Sequence, residues 1–442
     1  MRFLHARHEG SASGKEQTMK RRPSLILGAA LIAVIASLGI ARANPGPAPG
    51  QGVQAPLFEV DPLWPKPLPD HQLLGSAVGV AVDARDHIFV INLTNTFNAR
   101  TEIGLASTPP TGECCKPTSA VLEFDAEGSL IRQWGGPGQG YTWPAANHGI
   151  AIDNQGNVWI AGSGGTDTQI LKFSREGRFL MAVGKLAAAP QPVAGGGGGV
   201  AGDTAGGGRR GGRGGARGAP PPSLPPASNS TDSFGGAAEI SFDTPAGEAF
   251  VADGYRNRRI AVIDMGTGRI KRFFGAYGNR PEDAALPAYN GAAKQFGTPV
   301  RCAELSADGM VYVCDRTNNR IQVFRKDGTF VKERVVAPET RGAGSVWDIA
   351  FSRDAQQRYL YVADGMNMKV HILDRQSLDV LTSFGDGGRQ PGQFFGVHSI
   401  ATDSRGNIYT TETYEGKRVQ KFVFKGIGAV TNRNRGVVWP GR

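Results

Sequence analysis

Ala252-Asp253-Gly254-Tyr255-Arg256-Asn257-Arg258-Arg259-Ile260 ends one short apolar run, Glu248 to Ala252, and opens another, Ile260 to Asp264. A near copy stands at Cys314-Asp315-Arg316-Thr317-Asn318-Asn319-Arg320-Ile321, and a third at Ala363-Asp364-Gly365-Met366-Asn367-Met368-Lys369-Val370. An Asp closing one strand, an Asn that tolerates left-handed backbone and a basic residue opening the next strand suit a polar hairpin loop. A unit that returns every few tens of residues is read as an array first.

Outward from these loops, six copies of one pattern follow residue 57. Each pairs an alternating strand, a polar turn and a strand rich in Val, Ile, Phe and Tyr. The first three are Gly79–Asp83 with His87–Ile91, Gly149–Asp153 with Asn157–Ala161, and Glu239–Asp243 with Glu248–Ala252. The others are Cys302–Ser306 with Met310–Cys314, Asp348–Ser352 with Arg358–Ala363, and Ser399–Asp403 with Asn407–Thr411. A third strand follows in every copy and a fourth in five; the last copy stops after Val419–Phe424. The N-terminal run Leu57–Asp61 has no partner of its own, and is expected to fill that gap and close the ring without a bare sheet edge. The prediction is an all-β, six-bladed β-propeller with four-stranded blades. The 63 Gly and 28 Pro among 442 residues agree with turn-rich β structure.

The propeller is expected over residues 57–425, between a linker at 44–56 and a tail at 426–442. Residues 1–43 read as a signal peptide: Lys20-Arg21-Arg22, an apolar run from Leu25 to Ile40, then Ala41-Arg42-Ala43, with Met19 an alternative start. The apolar run is shorter than the roughly 20 residues a bilayer span needs, so a cleaved signal and an exported, periplasmic or extracellular protein are expected. Residues 187–233 form a Gly/Pro/Arg-rich low-complexity insert. Its Arg209–Gly215 segment resembles the Arg-Gly stretches of RNA-binding tails but lacks interleaved aromatics, so a solvated loop is expected. The formal charge of +10 includes +5 in residues 1–43 and +2 in the insert. The remaining body carries only +3, and no nucleic-acid partner is expected. The four Cys lack zinc-type spacing; Cys302 and Cys314 can face each other across a hairpin, and Cys114-Cys115 can staple a loop.

The long segments 92–119, 135–147, 186–234, 276–297 and 385–396 all fall on the face where the inner strands begin, the face where loops carry function. Five positions before the Asp or Ser ending each inner strand stand Val78, His148, Ala238, Arg301, Trp347 and His398. These side chains are expected to ring the mouth of the central channel. His148 and His398 share the frame His-x-Ile-Ala-x-Asp, and with Arg301 they occupy alternate blades. Such a triangle is how three His hold a zinc with one position open.

With these residues in place, the chain resembles the NHL-repeat propellers, and more closely the catalytic domain of peptidyl-α-hydroxyglycine α-amidating lyase, over about Leu57 to Phe424 without the insert. The most specific matches are Asp253-Gly254-Tyr255-x-Asn257-x-Arg259-Ile260 and Asp315-Arg316-x-Asn318-x-Arg320-Ile321-Gln322. That resemblance implies a channel zinc held by three His and a lyase that splits a peptidyl hydroxyglycine into an amidated peptide and glyoxylate. It places zinc ligands on His148 and His398, a catalytic Tyr on Tyr255 and a catalytic, substrate-binding Arg on Arg316. It also implies a third zinc His where this chain has Arg301, a second Arg where it has Asn92-Leu93, and an Asp tied to a structural calcium where it has Ser399. His71 and Glu412 are the remaining candidates for a third ligand. A different reading makes His148, His398 and Arg301 a cationic funnel for a carboxylate, with Arg301 as a bidentate clamp and Trp347 beside it as a ligand-binding residue. The two functional expectations are an exported propeller binding an anionic small molecule or peptide at its top face, and a metal-dependent lyase. His87, His371, Asp253, Asp315 and Asp364 are expected to be structural.

Overall fold

A computed structural model describes residues 52–187, 223–286, 289, 292–430 and 437–438. The signal segment 1–43 and residues 188–222 of the insert lie outside the described residues. Runs of β-branched and aromatic residues broken by Asp, Asn and Gly give antiparallel four-stranded sheets. Blade one comprises Ser76–Val82, Ile88–Leu93, Val121–Phe124 and Leu130–Trp134, and blade two Asn147–Ile152, Val158–Gly162, Ile170–Phe173 and Phe179–Val183. Blade three comprises Ala237–Asp243, Glu248–Asp253, Arg259–Asp264 and Ile270–Phe274. Blade four follows with Val300–Leu305, Met310–Asp315, Arg320–Arg325 and Phe330–Val335, and blade five with Asp348–Phe351, Tyr359–Asp364, Lys369–Asp374 and Val380–Phe384. Blade six takes three strands from the C-terminal part, Val397–Thr402, Ile408–Glu412 and Arg418–Ala429, and a fourth from Gln54–Asp61.

The ring is therefore closed as expected, by antiparallel pairing of Gln54–Asp61 with Arg418–Ala429. The pairing reaches further than the sequence suggested: Gln54 lies opposite Ala429, beyond both expected ends of the propeller. Backbone N–H and C=O groups near a sheet take ladder partners where the chain allows it, and hydrophobicity alone does not mark where this stops. Val437–Val438 then adds in parallel outside the closing strand.

Among the described residues the buried apolar side chains gather into six clusters, each at the joint of two neighbouring blades. This leaves the axis to other residue types. At the closing joint, Phe58 packs its ring 5.6 Å from Tyr361, 5.6 Å from Phe384 and 6.0 Å from Phe424. Phe58→Ala is expected to cost about 3–5 kcal/mol of unfolding free energy, read by urea denaturation.

In the repeated loops the Asp is a structural hub. Asp253 accepts from Arg259 Nε at 2.8 Å, Asn257 Nδ2 at 2.8 Å and the Gly235 N–H at 2.6 Å. Asp315 repeats this with Arg320 at 2.7 Å, Asn318 at 2.9 Å and the Gly297 N–H at 2.8 Å. Asp364 takes Asn367 at 2.7 Å and His371 at 3.0 Å. One carboxylate thus ties a strand end to its loop and to the next strand and, in the first two copies, to the incoming interblade chain as well. The expected left-handed Asn is present in the second copy as Asn319 (φ 55°); in the third Met368 (φ 55°) takes that conformation instead, and the first copy has none. Gly254 is needed there for another reason, since a Cβ would lie 2.0 Å from the Val300 carbonyl oxygen of the next blade.

Candidate functional site at the channel mouth

The mouth residues are aimed by a recurring irregularity of the inner strands. Pairing with the second strand slips between Ala77 and Gly79, Asn147 and Ile150, Ala237 and Glu239, Val300 and Cys302, and Val397 and Ser399. The residues skipped include Val78, His148, Ala238, Arg301 and His398. A bulge bends its strand and redirects the extra side chain, which is why these positions can leave the interblade packing.

The structure brings all six predicted site residues into one contact chain, and all are buried. Tyr255 Oη lies 2.6 Å from His148 Nε2. The His148 and His398 rings meet edge to face with centroids 4.9 Å apart. Arg301 Nη2 is 2.9 Å from His398 Nδ1 and 3.4 Å from the His398 carbonyl oxygen. Trp347 packs edge-on against His398 at 5.6 Å and donates its Nε1–H to Gly344 at 2.7 Å. The Arg316 guanidinium stacks over Trp347 at 4.3 Å, while its Nε donates to the Ala343 carbonyl at 2.8 Å.

Ring orientation follows from the backbone. His148 Nδ1 is 3.0 Å from the Ala238 carbonyl and His398 Nδ1 is 2.7 Å from that of Val78, in each case the mouth residue of the next blade. A carbonyl only accepts, so these contacts put the proton on Nδ1 and the lone pair on Nε2. His148 Nε2 then accepts from the Tyr255 hydroxyl. His398 Nδ1 cannot both donate to Val78 and accept from Arg301, and the shorter contact is to Val78.

Two imidazoles with Nε2 lone pairs resemble part of a zinc site, but the donor set does not fit a three-His zinc. The third position holds a guanidinium, which has no lone pair to give and places a positive charge against His398. The spare candidates do not replace it. Glu412 is taken by Arg418 at 2.6 Å, Gln420 at 2.7 Å and the Phe395 N–H at 2.8 Å, and His71 is exposed in a loop. Ser399 gives its hydroxyl to Asp348 at 2.6 Å. His87 pairs with Glu123 at 2.8 Å and His371 with Asp364, both away from the mouth.

Above the mouth lies a cavity of about 890 Å³ over blades six, one and two, lined by Ser76, Leu93, Phe97, Ala146, Thr413 and Tyr414 among others. None of the six site residues lines it, yet Ser76 and Ala146 stand two positions before Val78 and His148, and Tyr414 packs on Trp347 at 6.3 Å. Its one lysine, Lys417, is neutralised by Glu102 at 2.8 Å. Cys114 and Cys115 form a disulfide in the long top loop of blade one. A second disulfide, Cys302–Cys314, lies immediately beside Arg301 in sequence, and Asp348 is within 4.8 Å of its sulfurs.

Three carboxyls escaped the sequence reading: Glu239, Glu304 and Asp348. Burial pushes Glu304 up to about 8, helped by the Asp348 charge, and raises Asp348 and Glu239 as well. Their signal was present, since Glu239 and Asp348 stand directly after mouth residues where blades one, two and six have Gly79, Gly149 and Ser399. A raised folded-state pKa means the folded chain holds a proton the unfolded chain has released. Stability is therefore expected to fall as pH rises from about 4.5 to about 8, by a few kcal/mol in all. Denaturation of wild type and Glu304→Gln at pH 5 and pH 9 checks this: the variant should lose less.

No protein-family model and no curated protein matches this chain. Among solved structures it is similar to a catalytically inactive virginiamycin B lyase from Staphylococcus aureus with quinupristin, at 14% identity over 83% of this chain and 89% of that one, TM-score 0.42. It is also similar to a streptogramin B lyase structure (12% identity, 84% and 98% covered, TM-score 0.44) and to a Bacteroides thetaiotaomicron protein of unknown function (12%, 84% and 76%, TM-score 0.46). At these identities and scores the likeness carries no argument about activity.

Proposed function

We propose that this propeller binds the carboxylate of a small molecule or peptide at its channel mouth without a metal, in an exported protein. The observation that carries this reading is Arg301, a buried guanidinium set against His398 where a metal site would need a third lone pair. A donor fork in a site of low dielectric favours a planar anion and disfavours a dication. Tyr255 and His148 add a phenol–imidazole pair that can hand a proton to or from a bound group. The cavity beside the mouth, lined by Ser, Thr, Asn and Ala side chains along with Glu102, Glu415 and Lys417, suits a hydrogen-bonding remainder of the ligand.

N-acetylglycine, a carboxylate on a neutral amide body, is a suitable probe for calorimetric titration. Tyr255→Phe, which removes one buried hydrogen bond of about 1 kcal/mol, is expected to weaken its binding roughly fivefold if the phenol orients the imidazole. Equal affinity in the variant contradicts that role.

The lyase reading has one specific support, the Nδ1-to-carbonyl bonds that point lone pairs at Nε2. Zinc stoichiometry of the mature protein, together with glyoxylate release from a hydroxyglycine-capped peptide, tests it. Stoichiometric zinc lost on His148→Ala, with turnover, would establish the lyase and overturn metal-free binding. Export is tested separately, by whether the secreted chain begins after Ala43.

A further inference from the structure

Beneath the mouth the channel differs by sector. One position after the mouth residues stand Gly79, Gly149, Glu239, Cys302, Asp348 and Ser399; two positions further stand Ala81, Ala151, Ser241, Glu304, Ala350 and Ala401. Blades three, four and five therefore bring three carboxyls to one side, while blades six, one and two contribute only Gly, Ala and Ser. Glu239 and Glu304 line a cavity of about 460 Å³ that opens among the inner strands below.

The carboxyls form a chain. Asp348 accepts from the Ile349 N–H at 2.9 Å, the Ser399 hydroxyl at 2.6 Å and the Ile400 N–H at 3.0 Å. Glu239 is hydrogen-bonded to Asp348 on one side and to Glu304 on the other. Its Oε2 is buried and meets no N–H or O–H donor. Two carboxyls hydrogen-bond only when one carries a proton, so two such links need two protons. That leaves one negative charge, and the positive charge acting on Glu239 and Asp348 is Arg301.

We propose that Glu239, Glu304 and Asp348 form a proton-sharing chain behind Arg301 that sets how much of the guanidinium's charge reaches a carboxylate bound in the mouth. This rests on the binding reading above. With two protons stored, the chain balances Arg301 with a single charge. Loss of one proton places a second negative charge behind the guanidinium, and an anionic ligand then meets a weaker field. Burial already holds Glu304 near 8, inside the range a solution experiment can scan.

Other ionisable groups on the surrounding strands are engaged elsewhere. Asp253 is held by Arg259, Asp315 by Arg320, Asp243 by Lys326, Glu248 by Arg272 and Asp364 by His371. Tyr312, opposite Glu304 in the ladder, turns its hydroxyl to Arg375, and Tyr359 and Tyr361 on blade five have hydroxyls held neutral by burial. His148 and His398 face the mouth from above.

The test titrates N-acetylglycine into the full chain from pH 6 to 9.5, alongside ¹³C NMR of labelled side-chain carboxyls. Wild-type affinity is expected to fall roughly tenfold through pH 8, the effect of one added charge several ångströms away at an effective dielectric near 20. Glu304→Gln should lose that step, Glu304→Asp should restore a step, and NMR should show a carboxyl titrating near 8. Binding with the same step in Glu304→Gln overturns the inference. So does NMR showing all carboxyls ionised by pH 6, or a stoichiometric calcium or magnesium ion in place of the protons. Absence of binding at every pH overturns the mouth reading along with it, and is distinguishable from failure of the chain alone, in which binding persists without the step.

Discussion

Asp253→Ala is expected to remove about 3–5 kcal/mol of unfolding free energy, among the largest single losses available in this chain. The variant strips the partner from Arg259, whose side chain is wholly buried and stacked on Phe273 at 4.9 Å. The guanidinium keeps its hydrogen bonds to the Ser228 and Ser233 carbonyls but not its counter-charge. Asn257 and the Gly235 N–H lose an acceptor in the same stroke. An isolated buried charge is what makes the breaking of such a pair costly; replacing both partners with apolar residues is far milder. Asp253→Leu combined with Arg259→Leu should therefore be more stable than Asp253→Ala alone. Urea denaturation at neutral pH reads both. A loss below about 1 kcal/mol in Asp253→Ala would place the pair with ordinary surface bridges and contradict its role as a hub.

Arg301→Leu is expected to weaken N-acetylglycine binding by about 30- to 1,000-fold, the 2–4 kcal/mol that removal of a buried, hydrogen-bonded charge partner typically costs. Calorimetric titration measures it, and a thermal melt checks that the carboxyls left behind have not unfolded the chain. Arg301→His carries the opposite expectation. It supplies a third imidazole on the third alternate blade, so uptake of about one zinc per chain is expected where wild type holds none. Metal analysis after dialysis decides this arm. A wild-type protein already loaded with zinc, or a histidine variant that stays empty, would show that the triangle of mouth positions is not the geometry inferred.

Much of the architecture was legible because it repeats. Period-two alternation marked the inner strands, and the missing fourth strand of blade six pointed to Leu57–Asp61 as its partner. The ring of mouth residues was legible for the same reason, since counting back from an equivalent turn lands on equivalent positions. The bulges were not, because a slip of one residue leaves the pattern of apolar positions nearly intact. Nor was the partner of each imidazole: Ala238 and Val78 act through backbone carbonyls, which carry no sequence signature. The carboxyl chain was hidden differently. Glu239 and Asp348 sit where a strand normally turns a side chain into packing, and only the curvature of the ring brings three blades' acids within hydrogen-bond reach. The need for the loop glycines was hidden as well: Gly254 and Gly365 admit the backbone of the following blade, a contact between blades that no local pattern marks.

The central claim is that Arg301 makes the mouth an anion site that needs no metal. It is tested most directly by titrating N-acetylglycine into the full chain before and after exhaustive dialysis against a chelator. The predicted result is saturable one-site binding of the same affinity in both samples. Binding that disappears on chelation and returns with zinc would contradict it.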